Sequence, residues 1–81
     1  MTEQEIKQTI FQLLKTIAPD TEPEKLKPDD DIRHTLEIDS FDALQLVVSL
    51  DEHYHIEIPE EDYGKITTLE KMVAYIIKKM K

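Results

Sequence analysis

Three stretches of this chain repeat apolar side chains at the three- and four-residue spacing of a helix, and no paired stretches alternate as strands do. The first, predicted over Glu3–Ile17, carries Ile6, Ile10, Leu14 and Ile17, with Phe11 and Leu13 alongside. The second, from Ser40 to His53 or Tyr54, carries Ala43, Leu46, Val47, Leu50 and Tyr54. The third, from about Thr68 to Lys79, carries Leu69, Met72, Val73, Ile76, Ile77 and Met80. End signals accompany them. Thr2 and Glu5 stand at capping-box spacing, and Pro19 closes the first helix. Thr67 and Glu70 share that spacing, with Thr68 as the other candidate cap, and Lys78, Lys79 and Lys81 suit a helix C-terminus. Between the last two long helices, Pro59 at a first position, acids in the first turn and Gly64 as a stop predict one short helix.

With 81 residues and no cysteine, neither disulfides nor thiolate zinc can staple the fold. The expectation is all-α: one domain over residues 1–81, a small four-helix bundle of three main helices and one short one. A long loop joins the first two helices. Residues 18–39 hold Pro19, Pro23, Pro28 and Asp29-Asp30-Asp31 and read as irregular chain, pinned to the core by Leu26, Ile32, Leu36 and Ile38. So long a loop in so small a domain is usually functional or mobile.

Charge narrows the function classes. The net charge is −8, the wrong sign for a nucleic-acid footprint or an anionic membrane surface. A basic protein partner fits it. From His34 to Gly64 there is no lysine or arginine, while half of the acids lie there. Such a one-signed stretch favours a docking surface over an ordinary solvated face. No apolar run is long enough for a membrane span, and the polar, acidic start is unlike a signal peptide. A cytoplasmic monomer is the expectation.

The second helix is apolar on more than one face. Phe41, Leu44 and Val48 form a second stripe, rotated by roughly 120° from the first. Asp42, Gln45, Ser49 and Glu52 take the remaining arc. Either the long loop buries both stripes, or the second lies at the rim as apolar contacts bordered by acids.

Catalytic and metal patterns are weak. Ser40, His34 and Asp39 can be assembled on paper only, at a loop-helix junction with little room for a cleft. His53 and His55 flank Tyr54 without a closed ligand set, and the Asp29–Asp31 run lacks calcium-loop spacing. No metal site is assigned. Ser40 has two readings. It is a helix N-cap, or its hydroxyl carries a phosphodiester, which the N–H groups and dipole of a helix start would favour.

Asp39-Ser40-Phe41-Asp42-Ala43-Leu44-Gln45-Leu46 and its continuation to Glu52 resemble the Asp-Ser-Leu helix of acyl carrier proteins. Ile56-Glu57-Ile58-Pro59-Glu60-Glu61, Ile66-Thr67-Thr68-Leu69 and Leu26-Lys27-Pro28 extend that resemblance over essentially the whole chain. It implies a bundle of acyl-carrier-protein type that is a carrier and not an enzyme. Ser40 would bear 4′-phosphopantetheine, set there from coenzyme A by a Mg²⁺-dependent phosphopantetheinyl transferase, with Asp39 positioning metal or arm. Acyl groups would ride on the arm as thioesters. Phe41, Leu44 and Val48 would form the apolar part of a docking face, and Asp42, Asp51 and Glu52 its acidic part, for acyl-transferring and acyl-modifying enzymes with basic patches. The chain departs from the family at Glu37, where a glycine is usual, at Phe41 for leucine, at Gln45 for an acid, and at His53 and His55. These departures point from housekeeping fatty acid synthesis towards specialised lipid, polyketide, D-alanyl or aminoacyl loading. Two readings of another class stand beside it: an acidic interaction module whose Ser40 only caps, and a metal-linked sensor using His53 and His55.

Overall fold

Thr2 Oγ1 accepts from the Glu5 N–H at 3.1 Å and the Glu5 carboxylate accepts from the Thr2 N–H at 2.9 Å, closing the expected capping box. It opens the first helix, α1 (Glu3–Ile17). This computed structural model describes residues 2–80, so the expectation for Lys81 lies outside the described residues. After α1 come a 3₁₀ turn (Pro23–Lys25), α2 (Ile32–Leu36), α3 (Ser40–Tyr54), a 3₁₀ segment (Glu60–Lys65) and α4 (Leu69–Met80). The molecule is an all-α bundle of three long helices and shorter helical pieces, as expected.

The predicted stripes face one another. Ile6, Ile10 and Leu14 of α1, Leu46, Val47, Leu50 and Tyr54 of α3, and Leu69, Met72, Val73 and Ile76 of α4 are buried in one cluster. α1 packs against both α3 and α4. Leu26, Ile32 and Ile38 pin the long connection as expected, while Leu36 is only half-buried. Met80 leaves the stripe and stays exposed, one turn past Ile76, the last buried residue of α4.

Two local expectations are corrected, and one open choice is decided. The 18–39 connection is not irregular throughout: it contains the short α-helix α2. The Asp31 carboxylate starts α2 by accepting from the His34 N–H at 2.9 Å. The segment predicted as a short helix after Pro59 winds as 3₁₀. Pro59 stands just before it, and Gly64 lies inside it with no positive φ, so it is no stop. Finally, Thr68 and not Thr67 caps α4, accepting from the Lys71 N–H at 3.2 Å.

The connection is fastened to the head of α4 by backbone. Ile32 N–H donates to Thr67 O at 2.9 Å, and Glu70 N–H donates to Pro28 O at 2.8 Å. The second bond satisfies a first-turn N–H that α4 cannot satisfy itself. Together they tie the α2 segment to the head of α4.

Candidate functional site

The start of α3 assigns different tasks to two adjacent residues. Asp39 has the extended backbone of a cap, and its Oδ1 accepts from the Asp42 N–H at 2.8 Å. Its carbonyl also accepts from the Ala43 N–H at 3.1 Å. Ser40 is therefore the first residue inside the helix and not its cap, which removes the capping explanation of this serine. The Ser40 side chain is exposed and forms no hydrogen bond among the described residues. The paper triad does not assemble either: the Asp39 carboxylate is committed to the backbone, and no bond links it to His34 or Ser40 among the described residues.

Beside Ser40 opens a cavity of about 710 Å³, a size that suits a small organic ligand. Its deep lining is aliphatic: Ile32, Ile38, Leu46, Val47, Ile66 and Met72. Ser40, Phe41, Leu44, Arg33 and Glu60 are its exposed edge. The second stripe of α3 is thus not buried by the long connection. Phe41 is 72% exposed, Leu44 45% and Val48 46%, which decides for the rim.

The expected acidic partners divide among different surroundings. Glu52 is exposed, one turn beyond Val48. Asp42 is half-buried and borders a second groove of about 720 Å³, shared with Glu22, Leu36 and Glu37. Asp51 is half-buried with Oδ1 unpartnered among the described residues. Burial pushes its carboxyl above the ordinary value; Glu57 adds to this, while the Ile58 N–H and Lys79 oppose it. His53 and His55 do not join a metal-ligating group: no three His, Asp or Glu side chains converge suitably among the described residues.

Two further features lie near the site, the first at the position where the sequence departs from the family's glycine. Glu37 ends α2 with φ 56° and ψ 40°, the left-handed conformation that a glycine serves best. Its N–H reaches His34 O at 3.3 Å, and the Ile38 N–H reaches Arg33 O at 3.1 Å, the paired bonds of a Schellman ending. The chain keeps this turn without the glycine. His55 ends α3 in the same left-handed conformation, at φ 55°, with its own N–H and that of Ile56 both directed to Asp51 O. The other feature fastens the 3₁₀ segment, whose Glu60 and Tyr63 line the cavity. Tyr75 of α4 donates its hydroxyl to Asp62 Oδ2 at 2.6 Å, and Lys65 Nζ lies 3.1 Å from Asp62 Oδ1. The Tyr75 hydrogen bond and Lys65 hold the Asp62 carboxyl below its ordinary value. Burial, then Asp62, pushes the Tyr75 phenol up to about 12.

Comparison with known proteins agrees with this geometry. The family described as "Phosphopantetheine attachment site" matches residues 4–76. The acyl carrier protein of Chlorobium phaeobacteroides is 30% identical over 79 residues, covering 98% of this chain and 100% of that protein. That of Rubrobacter xylanophilus is 34% identical over 74 residues, covering 88% and 91%. That of Helicobacter hepaticus is 42% identical over 52 residues, covering 64% and 68%. A free serine hydroxyl at a helix start, beside an apolar cavity, is a fitting place for the prosthetic group such proteins carry, and the chain belongs to the acyl carrier protein family, as a phosphopantetheine-bearing carrier and not an enzyme.

Proposed function

We propose that Ser40 is the attachment point and that this chain carries acyl groups as thioesters between soluble enzymes of the cytoplasm. The observation that carries the reading is the division of labour at α3: Asp39 caps the helix, leaving the Ser40 hydroxyl exposed at the cavity edge. On attachment, Ser40 Oγ gains the bond to phosphorus, the nucleotide half of coenzyme A leaves, and the serine proton passes to solvent or the transferase. The arm supplies the thiol that a chain without cysteine lacks.

The remaining residues serve presentation. Phe41, Leu44 and Val48 offer apolar contact, and Asp42, Glu52 and the partly tucked Asp51 offer charge to basic enzyme surfaces. Exposed ion pairs are individually weak, which suits a partner that must leave quickly. Ile38, Leu46, Ile66 and Met72 line a space that can shelter the first carbons of an acyl chain. Each sheltered methylene contributes about 0.8 kcal/mol. The chain works as a monomer, and fatty acid, lipid or polyketide enzymes are its partners. D-alanyl or aminoacyl cargo is the alternative within the same chemistry.

The test is incubation with coenzyme A, Mg²⁺ and a broad-specificity phosphopantetheinyl transferase, followed by intact mass. A gain of one phosphopantetheine that Ser40→Ala abolishes is the expected result. A folded protein that gains nothing sinks the assignment and returns the chain to an acidic interaction module.

A further inference from the structure

Arg33 is the single arginine among ten basic residues, and the last base before the stretch 34–64 that has none. It stands exposed on α2 and borders the same cavity as Ser40. The ion pairs among the described residues lie elsewhere, at Lys25–Glu22 and Lys65–Asp62. Of the acids bordering the cavity with it, Asp31 already gives an oxygen to the α2 backbone, and Glu60 forms no ion pair with it among the described residues. The root of the Arg33 side chain is held firmly, because its carbonyl accepts from the Ile38 N–H at 3.1 Å in the left-handed turn that ends α2. A fixed base with a head in no ion pair among the described residues thus stands on the edge of the cavity that Ser40 also borders.

The helix start cannot supply all the positive field a phosphate needs here. Two of the first four α3 N–H groups, those of Asp42 and Ala43, are taken by Asp39. Asp39 and Asp42 add negative charge beside the serine. A phosphodiester on Ser40 would sit among like charges unless one base met it. Guanidinium is the group best shaped for that, since its planar fork faces two phosphate oxygens at once. Resting on Ser40 as the attachment point, we propose that Arg33 is the positioning residue for the arm. Its guanidinium pairs with the phosphodiester at the cavity edge and turns the root of the arm along the aliphatic wall instead of into solvent.

The experiment uses the intact protein, converted by transferase and checked by mass before any spectrum is taken. A protein that gains no mass overturns the Ser40 assignment and this one with it. A gain of mass isolates the question of Arg33. The Arg33 Nε–H resonance is expected to shift on conversion, and to lose that shift in high salt. In Arg33→Gln the ³¹P resonance of the phosphodiester is expected to move, and Arg33→Lys to restore it in part. An exposed side chain with a merely structural role would leave the phosphorus resonance where it was. An Arg33 resonance indifferent to attachment, with the mass gained, overturns the proposal. A shift that comes only after loading a succinyl group also overturns it, and assigns Arg33 to a carboxylate on the cargo.

Discussion

Asp39 and Ser40 are both good cap residues, and only the backbone tells them apart. Asp39 holds the extended conformation and Ser40 is already helical. Removing the cap in Asp39→Ala should therefore cost about 1 kcal/mol. Ser40→Ala should stay within about 0.5 kcal/mol of the parent. Urea midpoints of the two variants decide this, and the reverse order would make Ser40 the cap. The sequence left this choice open because Asp-Ser offers two side chains with the same capacity. Glu37 is the opposite case. Its identity marks a departure from the family, and the structure shows that the turn bears it at φ 56°. A left-handed non-glycine residue costs about 1–2 kcal/mol, and a glycine there would give back roughly half to one through its freer unfolded chain. Glu37→Gly should accordingly raise the thermal midpoint, by a net stabilisation of up to about 1 kcal/mol. A lower midpoint would mean that the Glu37 side chain contributes more than its backbone costs.

The long helices were legible because their periodic stripes are their cores. Ile6, Ile10 and Leu14, or Leu69, Met72 and Ile76, are the same residues whether one reads spacing or burial. α2 was not legible. Five residues give little more than one turn, and its footing comes from Thr67, more than thirty positions away. Nor could a sequence show that Pro28 O completes the first turn of α4, since backbone groups leave no mark in residue type. The 3₁₀ segment Glu60–Lys65 belongs to the same class, for its tie is a tertiary contact from Tyr75 to Asp62. The same segment lends Glu60 and Tyr63 to the cavity lining. Tyr75→Phe should speed amide hydrogen exchange in residues 60–66 while leaving the core of α1 protected. Unchanged exchange there would show that Tyr63 and Ile66 hold the segment unaided. The pH window follows from the shifts. The Asp62 carboxyl lies low when folded, so its share of stability is present above the ordinary carboxylate range and fades as acid protonates it. The Tyr75 phenol lies high, so its share is complete below the ordinary phenol range near 10 and is lost as pH passes about 12.

At the scale of the whole molecule the charge is segregated. The stretch 34–64 supplies α3, its flanks and the cavity edge, with acids and no lysine or arginine. Of the later bases, Lys65 ends the 3₁₀ segment and Lys71, Lys78 and Lys79 belong to α4. The molecule measures 33 × 25 × 21 Å. At about 0.01 M ionic strength the screening length, ~30 Å, spans it; at about 0.15 M it falls to ~8 Å. Raising salt, or adding Mg²⁺, should therefore relieve repulsion among the acids and raise the thermal midpoint. A midpoint indifferent to both would place the acids too far apart to repel at any salt. The backbone ties of Pro28 and Ile32 to the head of α4 carry a consequence for biosynthesis. A growing chain acquires Ser40 and the whole of α3 well before Thr67 and Glu70 leave the ribosome. Until they do, the α2 wall has nothing to clasp, and α1 lacks α4, one of the two long helices it packs against. A stalled nascent chain would thus display the serine without its surroundings, and the site matures only with the arrival of the helix that brings Met72 to the cavity wall.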